Sequence, residues 1–207
     1  DRSDSLDLFS LSLVGLDLTR KNLRVPLTGL SHRHVSENTY SDVLQVLAWS
    51  FQQLLTGTFP TQRHDGTPWR PEDAKRRRQG GTSLKCKGLL AECRGDWKFI
   101  KEVFKLPGWD NTQGGLCWLC NRTVQQLRSA SSTASWRAPE NRLSHYQVLA
   151  RAREHGQQVS PIFAAPFLEA KNMRLDWLHV ADLGVSQDFL ANLFLLLTSV
   201  LPGGTLK

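Results

Sequence analysis

The sequence predicts an α/β protein, and three patterns carry that prediction. Apolar residues alternate over the first thirty positions, an apolar period of three and four begins at Tyr40, and a short apolar stretch ends on Asp96 directly before a second helical period. With 207 residues the chain can bury a real core. Its 40% hydrophobic and 22% charged residues are those of a globular chain, not a disordered one.

The elements follow in order. LFSLSLVGLDL, residues 8–18, and LRVPLTGL, residues 23–30, read as two short strands with a polar turn over residues 19–22. From Tyr40 the apolar positions Val43, Leu44, Leu47, Phe51, Leu54 and Leu55 mark an amphipathic helix, stopped by Gly57 and Pro60. TQRHDGTPWRPEDAKRRRQGG, residues 61–81, is rich in Gly, Pro and charge and reads as a long loop. KGLLAECRGD, residues 87–96, alternates like a half-buried strand. DWKFIKEVFKLPG then places Trp97, Ile100 and Phe104 on one helical face up to Pro107. Asp96 therefore stands where a strand hands over to a helix. A Ser-rich connector, residues 128–139, leads to a helix with Pro139 in its first turn and Gly156 at its end. A last helix runs from Ser186 to Pro202, and no internal repeat is visible.

Charge is uneven. Of the net charge of +7, the segment 63–105 contributes most, with twelve Lys/Arg against six Asp/Glu. Lys75, Arg76, Arg77 and Arg78 lie at its centre. Such a cluster can neutralise phosphates by counterion release, act as a nuclear-import signal, or simply be a solvated loop. No secretory signal is visible, and the longest apolar run, residues 189–201, is too short to span a bilayer. The chain is expected to be soluble and intracellular, with the nucleus as a destination and no membrane partner. It opens on Asp1 and carries its one Met at Met173, so it is expected to be a piece of a longer protein.

Four cysteines are too few for a disulfide scaffold. Cys117 and Cys120, two residues apart, form half of a tetrahedral zinc site, a redox pair, or an inert buried pair. Cys86 and Cys93 read as packing residues. The stretch LDWLHVADLGV, residues 175–185, sets Asp176, His179 and Asp182 three apart. Asp176 and His179 are candidates for the other half of the zinc site, alongside His145 and His155. Asp182 reads as local capping. Asp96 is either a catalytic carboxylate at a strand end or an ordinary helix N-cap. No phosphate-binding glycine loop and no nucleophile elbow occur.

Taken in order, AECRGDW, CWLC and DWLH resemble the DDE-type, RNase H-like transposases of eukaryotic DNA transposons. The likeness covers about residues 87–185, roughly half the chain. It implies a partial RNase H-like sheet with flanking helices over residues 1–107 and a mainly helical, zinc-containing insertion over 108–185. The start of a C-terminal helix follows over 186–207. It also implies that Asp96 is a vestige of the second catalytic Asp and that Cys117, Cys120, Asp176 and His179 hold structural zinc. Asp17 is the one early candidate for the first Asp, and the last helix offers only Asp188 where a Glu belongs.

A two-metal site needs several carboxylates. The expected function is therefore a transposon-derived protein with an incomplete active site, without nuclease activity, that binds DNA through Lys75, Arg76, Arg77 and Arg78. Magnesium would enter only if a longer parent restored the missing carboxylates. The competing expectation is a non-catalytic, zinc-containing module that binds a protein.

Overall fold

In the computed structural model the described residues are 6–13, 23–107, 117–120, 138–154, 158–176 and 186–200, with the isolated positions 123, 126, 131 and 133. Among them the chain is mixed α/β, with five α-helices and two small sheets. It divides into two compact units, residues 1–43 and 44–207.

In the first unit, strands β1 (Leu6–Leu13) and β2 (Leu23–Ser31) pair antiparallel, from Leu6 opposite Ser31 to Leu13 opposite Leu23. Residues 14–22, which include the predicted polar turn and Asp17, lie outside the described residues. The register shifts between Phe9 and Ser10, where Thr28 and Pro26 are the respective partners. Pro26 has no N–H to give the ladder, so a bulge beside it is the expected accommodation. Phe9 is buried, and its ring centroid lies 6.4 Å from that of Tyr40.

Helix α1 (Thr39–Thr56) starts in this unit and continues into the second. Its buried residues Leu44, Ala48 and Phe51 are spaced four and three apart, so they share one face. Gly57, at φ 75°, ends it in the left-handed conformation that a glycine adopts most easily. The Lys87 stem passes 3.0 Å from where a Cβ on Gly57 would sit. A side chain at that position would meet both backbone strain and Lys87.

Residues 61–81, read from sequence as a long loop, lie within a closed segment that runs from 57 to 84. Phe59 N–H donates to Thr82 O, and Gly81 N–H donates back to Phe59 O, both at 2.8 Å. Inside this neck, a tight turn runs from Arg63 to Thr67 with Gly66 at φ 76°, followed by a 3-10 turn Pro71–Asp73 and helix α2 (Ala74–Gln79). Asp65 fastens the turn by accepting from the N–H and the hydroxyl of Thr67. That bonding holds its carboxyl below the usual carboxylate range. Short-range pairing of this kind has no apolar period, which is why the sequence reads as unstructured there.

The strand predicted over residues 87–96 forms only at its end, as β3 (Cys93–Gly95). Leu89, half exposed, belongs to an irregular approach. Helix α3 (Trp97–Glu102) is likewise shorter than its apolar period suggests. Lys105 takes φ 56°, and Leu106 N–H returns to Ile100 O, so the chain turns off the helix while Val103, Phe104 and Leu106 stay buried.

Pro139 begins a separate 3-10 turn, Pro139–Asn141, rather than the next helix. Helix α4 (His145–Glu154) starts after Ser144, whose hydroxyl accepts from Gln147 N–H while its own N–H donates to Gln147 Oε1. This reciprocal pair satisfies donors at the helix start, which a proline six residues earlier cannot do. Strand β4 (Met173–Leu175) then pairs with β3, and helix α5 (Ser186–Val200) follows.

The two strand pairs are separate two-stranded sheets. The core of the second unit gathers Ile100, Val103, Phe104, Leu106, Trp118, Val148, Ile162, Leu168 and Met173, each under 5% exposed. Ile100 is wholly enclosed. Its truncation in Ile100→Ala is expected to lower unfolding free energy in urea by about 2–5 kcal/mol, the usual range for an apolar core deletion. Leu89→Ala, at a half-exposed position, should change it by less than about 1 kcal/mol.

Candidate functional site

β3 and β4 run parallel, with Cys93 opposite Met173, Arg94 opposite Arg174 and Gly95 opposite Leu175. The next rung is completed by Asp176 N–H donating to Gly95 O at 3.0 Å. Asp96 and Asp176 therefore follow directly on paired residues at the same end of the same ladder. Parallel strands in one sheet lie about 4.8 Å apart. The two carboxylate-bearing residues predicted separately are thus brought to one strand edge.

Asp96 also caps α3: its Oδ1 accepts from Phe99 N–H at 2.6 Å. The cap reading of the sequence holds, and such a cap is typically worth about 1 kcal/mol. Both Asp96 and Asp176 make further polar interactions. Gly95 is needed for this corner. A Cβ there would stand 2.7 Å from Phe99 Cδ1 and 3.3 Å from Phe99 Cβ, and the Phe99 ring is itself packed edge-on against Phe104.

Arg94 and Arg174 face each other across the ladder, a like-charge pairing that opposes it. The Glu92 carboxylate offsets this by pairing with Arg94 Nε and, at 3.6 Å, with Arg174 Nε. Both arginines are exposed and Glu92 is partly so, which keeps the contribution of order 1 kcal/mol or less.

The Cys117–Cys120 segment is tied to the same corner. Trp118, between the two cysteines, is buried and packs edge-on against Trp97, the first residue of α3, at 5.4 Å. Leu119 O accepts from Leu143 N–H at 2.9 Å, and Cys120 bridges to Arg142. The two thiols lie side by side. Burial pushes the Cys117 thiol up, as do its hydrogen bond to Cys120 and the charge there, while Leu119 N–H donating to its sulfur works the other way. Two adjacent, half-buried thiols fit half of a tetrahedral metal site. His179 and Asp182 lie outside the described residues, as does His155. Among the described residues no group of three or more His, Cys, Asp or Glu could hold a metal ion.

Cys93 is a packing residue, its thiol pushed up to about 12 by burial and then by the negative charge of Glu92, whereas Cys86, expected to pack as well, is exposed. His145 is committed elsewhere. Its Nδ1 accepts from Ala170 N–H at 3.2 Å, and its ring contacts Phe163 and Tyr146. Desolvation holds it below the ordinary histidine value of 6.5, opposed by Glu169 and supported by Lys171. Neither its bond to a backbone amide twenty-five residues away nor the Trp97–Trp118 contact leaves a mark in local sequence.

Lys75, Arg76, Arg77 and Arg78 are all exposed on α2. Arg76 differs from its neighbours: its guanidinium reaches Asp73 at 3.3 Å and lies 5.2 Å from the centroid of the Trp69 ring. Trp69 donates from Nε1 to Pro60 O and packs edge-on against Trp49 of α1.

No family model matches this chain, and neither a curated protein nor a solved structure matches it.

Two outcomes follow from these environments. In timed reaction with a thiol-specific disulfide reagent near pH 8, the exposed Cys86 should react first and Cys93 last, as judged by mass mapping, because the thiolate is the nucleophile. A histidine held below its usual value in the folded state contributes stability above that value and loses it on acidification. The melting temperature should therefore fall as pH drops below 6.5, and by less in His145→Asn, which keeps an acceptor but does not titrate there.

Proposed function

We propose that this chain is a transposon-derived, RNase H-like protein whose active site is incomplete and which retains nucleic-acid binding. The observation that carries this reading is the corner at Asp96. A strand ends one residue before it, a helix starts from it, a parallel strand some eighty residues later lies beside that strand, and the Cys117–Cys120 segment is packed against the same helix. A strand leading to an Asp, a helix after it and a downstream Cys-x-x-Cys are the features by which the sequence resembles the DDE-type transposases, and this corner supports that reading, although β1 and β2 form a separate sheet from β3 and β4. Asp96 and Asp176 alone supply too few carboxylates to hold two metal ions on opposite sides of a reacting phosphate. The basic segment 63–105 supplies the charge for a polyanionic partner, with the nucleus as the matching compartment. Cys117 and Cys120 would contribute two thiolate ligands to a structural zinc, with His179 as a further candidate; Asp176, the other candidate, does not group with the two cysteines among the described residues.

One feature favours a second reading, a protein-interaction module. α5 exposes Phe189, Phe194, Leu195 and Leu196, each 59–65% accessible. An apolar surface of that kind suits a protein partner more than a phosphate backbone.

Purified protein is expected to leave DNA intact in Mg²⁺ or Mn²⁺. Magnesium-dependent cleavage that survives in a fold-matched control but is lost in Asp96→Asn, where the N-cap is retained, would defeat the incomplete-site reading. Metal analysis should give about one zinc per chain, lost in Cys117→Ser. A stably folded, metal-free protein would leave the two cysteines as packing residues.

A further inference from the structure

We infer that the loop 57–84 meets nucleic acid through Lys75, Arg77 and Arg78, which take the phosphodiester backbone of a DNA duplex, while Arg76 is a positioning residue that holds the loop together. The inference rests on the nucleic-acid reading above and assigns its contact surface.

Helix geometry separates the four cations. Successive residues of an α-helix are about 100° apart around its axis. Taking Lys75 as the origin, Arg77 and Arg78 fall at about 200° and about 300°, so the three share an arc of about 160°. Arg76, at about 100°, lies opposite the middle of that arc. Its observed contacts agree: Arg76 is the residue that turns to Asp73 and to the Trp69 ring. Among the described residues Lys75, Arg77 and Arg78 have no ion pair, whereas the nearby acids are engaged, Asp73 by Arg76 and Glu72 by Arg70. The outward arc therefore carries three charges that nothing on the loop neutralises.

The mounting is firm. The loop is closed at its neck by the reciprocal Phe59, Thr82 and Gly81 hydrogen bonds and braced by Trp69 against Pro60 O and the Trp49 ring. Arg76 stacked on that tryptophan adds a cation–π contact and an ion pair to the same brace. The arrangement favours a duplex over a single strand. Single-strand binders offer aromatic faces on which bases stack, and Trp69 is half-buried and already covered by Arg76 and Trp49. What remains outward is charge alone, which positions a protein on a phosphate backbone without reading bases.

The test is fluorescence anisotropy with a mixed-sequence DNA duplex and a single strand of equal length, over a salt series. Each phosphate contact on duplex DNA adds about 0.9 to the steepness of log K against log salt. Replacing Lys75, Arg77 and Arg78 together by Ala should flatten that slope by about 2.7, and each singly by about 0.9. Between about 50 and about 200 mM salt, the unsubstituted protein should then lose about forty-fold more affinity than the triple variant. R76A and R76K should keep the original slope, while R76A speeds protease cleavage within residues 57–84. Circular dichroism should show all variants folded, since the side chains are exposed.

A triple variant with an unchanged slope, or R76A flattening the slope as much as its neighbours do, would overturn the assignment and leave DNA binding to another surface. Tighter binding of the single strand would also overturn it. Failure of the unsubstituted protein to bind DNA at any salt would remove the nucleic-acid reading itself.

Discussion

Three rungs of parallel ladder hold the second unit's chemistry together. Cys93 to Gly95 and Met173 to Leu175 are eighty residues apart in sequence, and Asp176 N–H on Gly95 O extends their pairing by one more hydrogen bond. Bringing such distant segments together carries a loop-closure entropy that grows slowly with length, so a short ladder suffices only if packing supports it. That packing is present. Met173 is almost fully buried, Ile100 of α3 is enclosed, and Gly95 leaves room for Phe99 to lie over the strand end. The opposed Arg94 and Arg174 would push the strands apart, and Glu92 between them removes much of that repulsion.

The same corner explains why the cysteine pair belongs with the carboxylates structurally before any ligand is considered. Trp118 is the anchor, because an indole buried against Trp97 removes a large apolar area from water and fixes the backbone on either side of it. Cys117 and Cys120 flank that anchor and are consequently held close to each other. A metal ion would have to displace the proton that burial favours on the Cys117 thiol, which thiolate–zinc bonding does readily. The pair's geometry is thus a product of aromatic packing, and metal binding would be an addition to it.

The loop 57–84 makes a contrasting case. It has little apolar content, yet reciprocal backbone hydrogen bonds, glycines at positive φ and a tryptophan–arginine stack order it. Four adjacent basic residues look equivalent in sequence. Winding them into one turn of helix separates them, one facing the brace and three facing outward, and this division gives Arg76 a different physical role from the chemically identical Arg77 and Arg78.

Several features were legible without coordinates because they are local. The β1–β2 alternation, the three-and-four period of α1, the strand-to-helix handover at Asp96 and the start of α5 all depend on neighbours within one or two turns, where pattern and propensity act directly. The capping role of Asp96 and the packing role of Cys93 were likewise among the readings residue type allows. What the tertiary structure alone decided was non-local. It pairs β3 with β4, sets Asp176 beside Asp96, trims α3 by a left-handed Lys105, gives His145 its backbone partner and turns Arg76 away from its neighbours. None of these follows from a period or a motif, because each depends on which distant surface the chain finds when its apolar residues collapse, and that choice is made by packing and hydrogen-bond satisfaction over the whole unit.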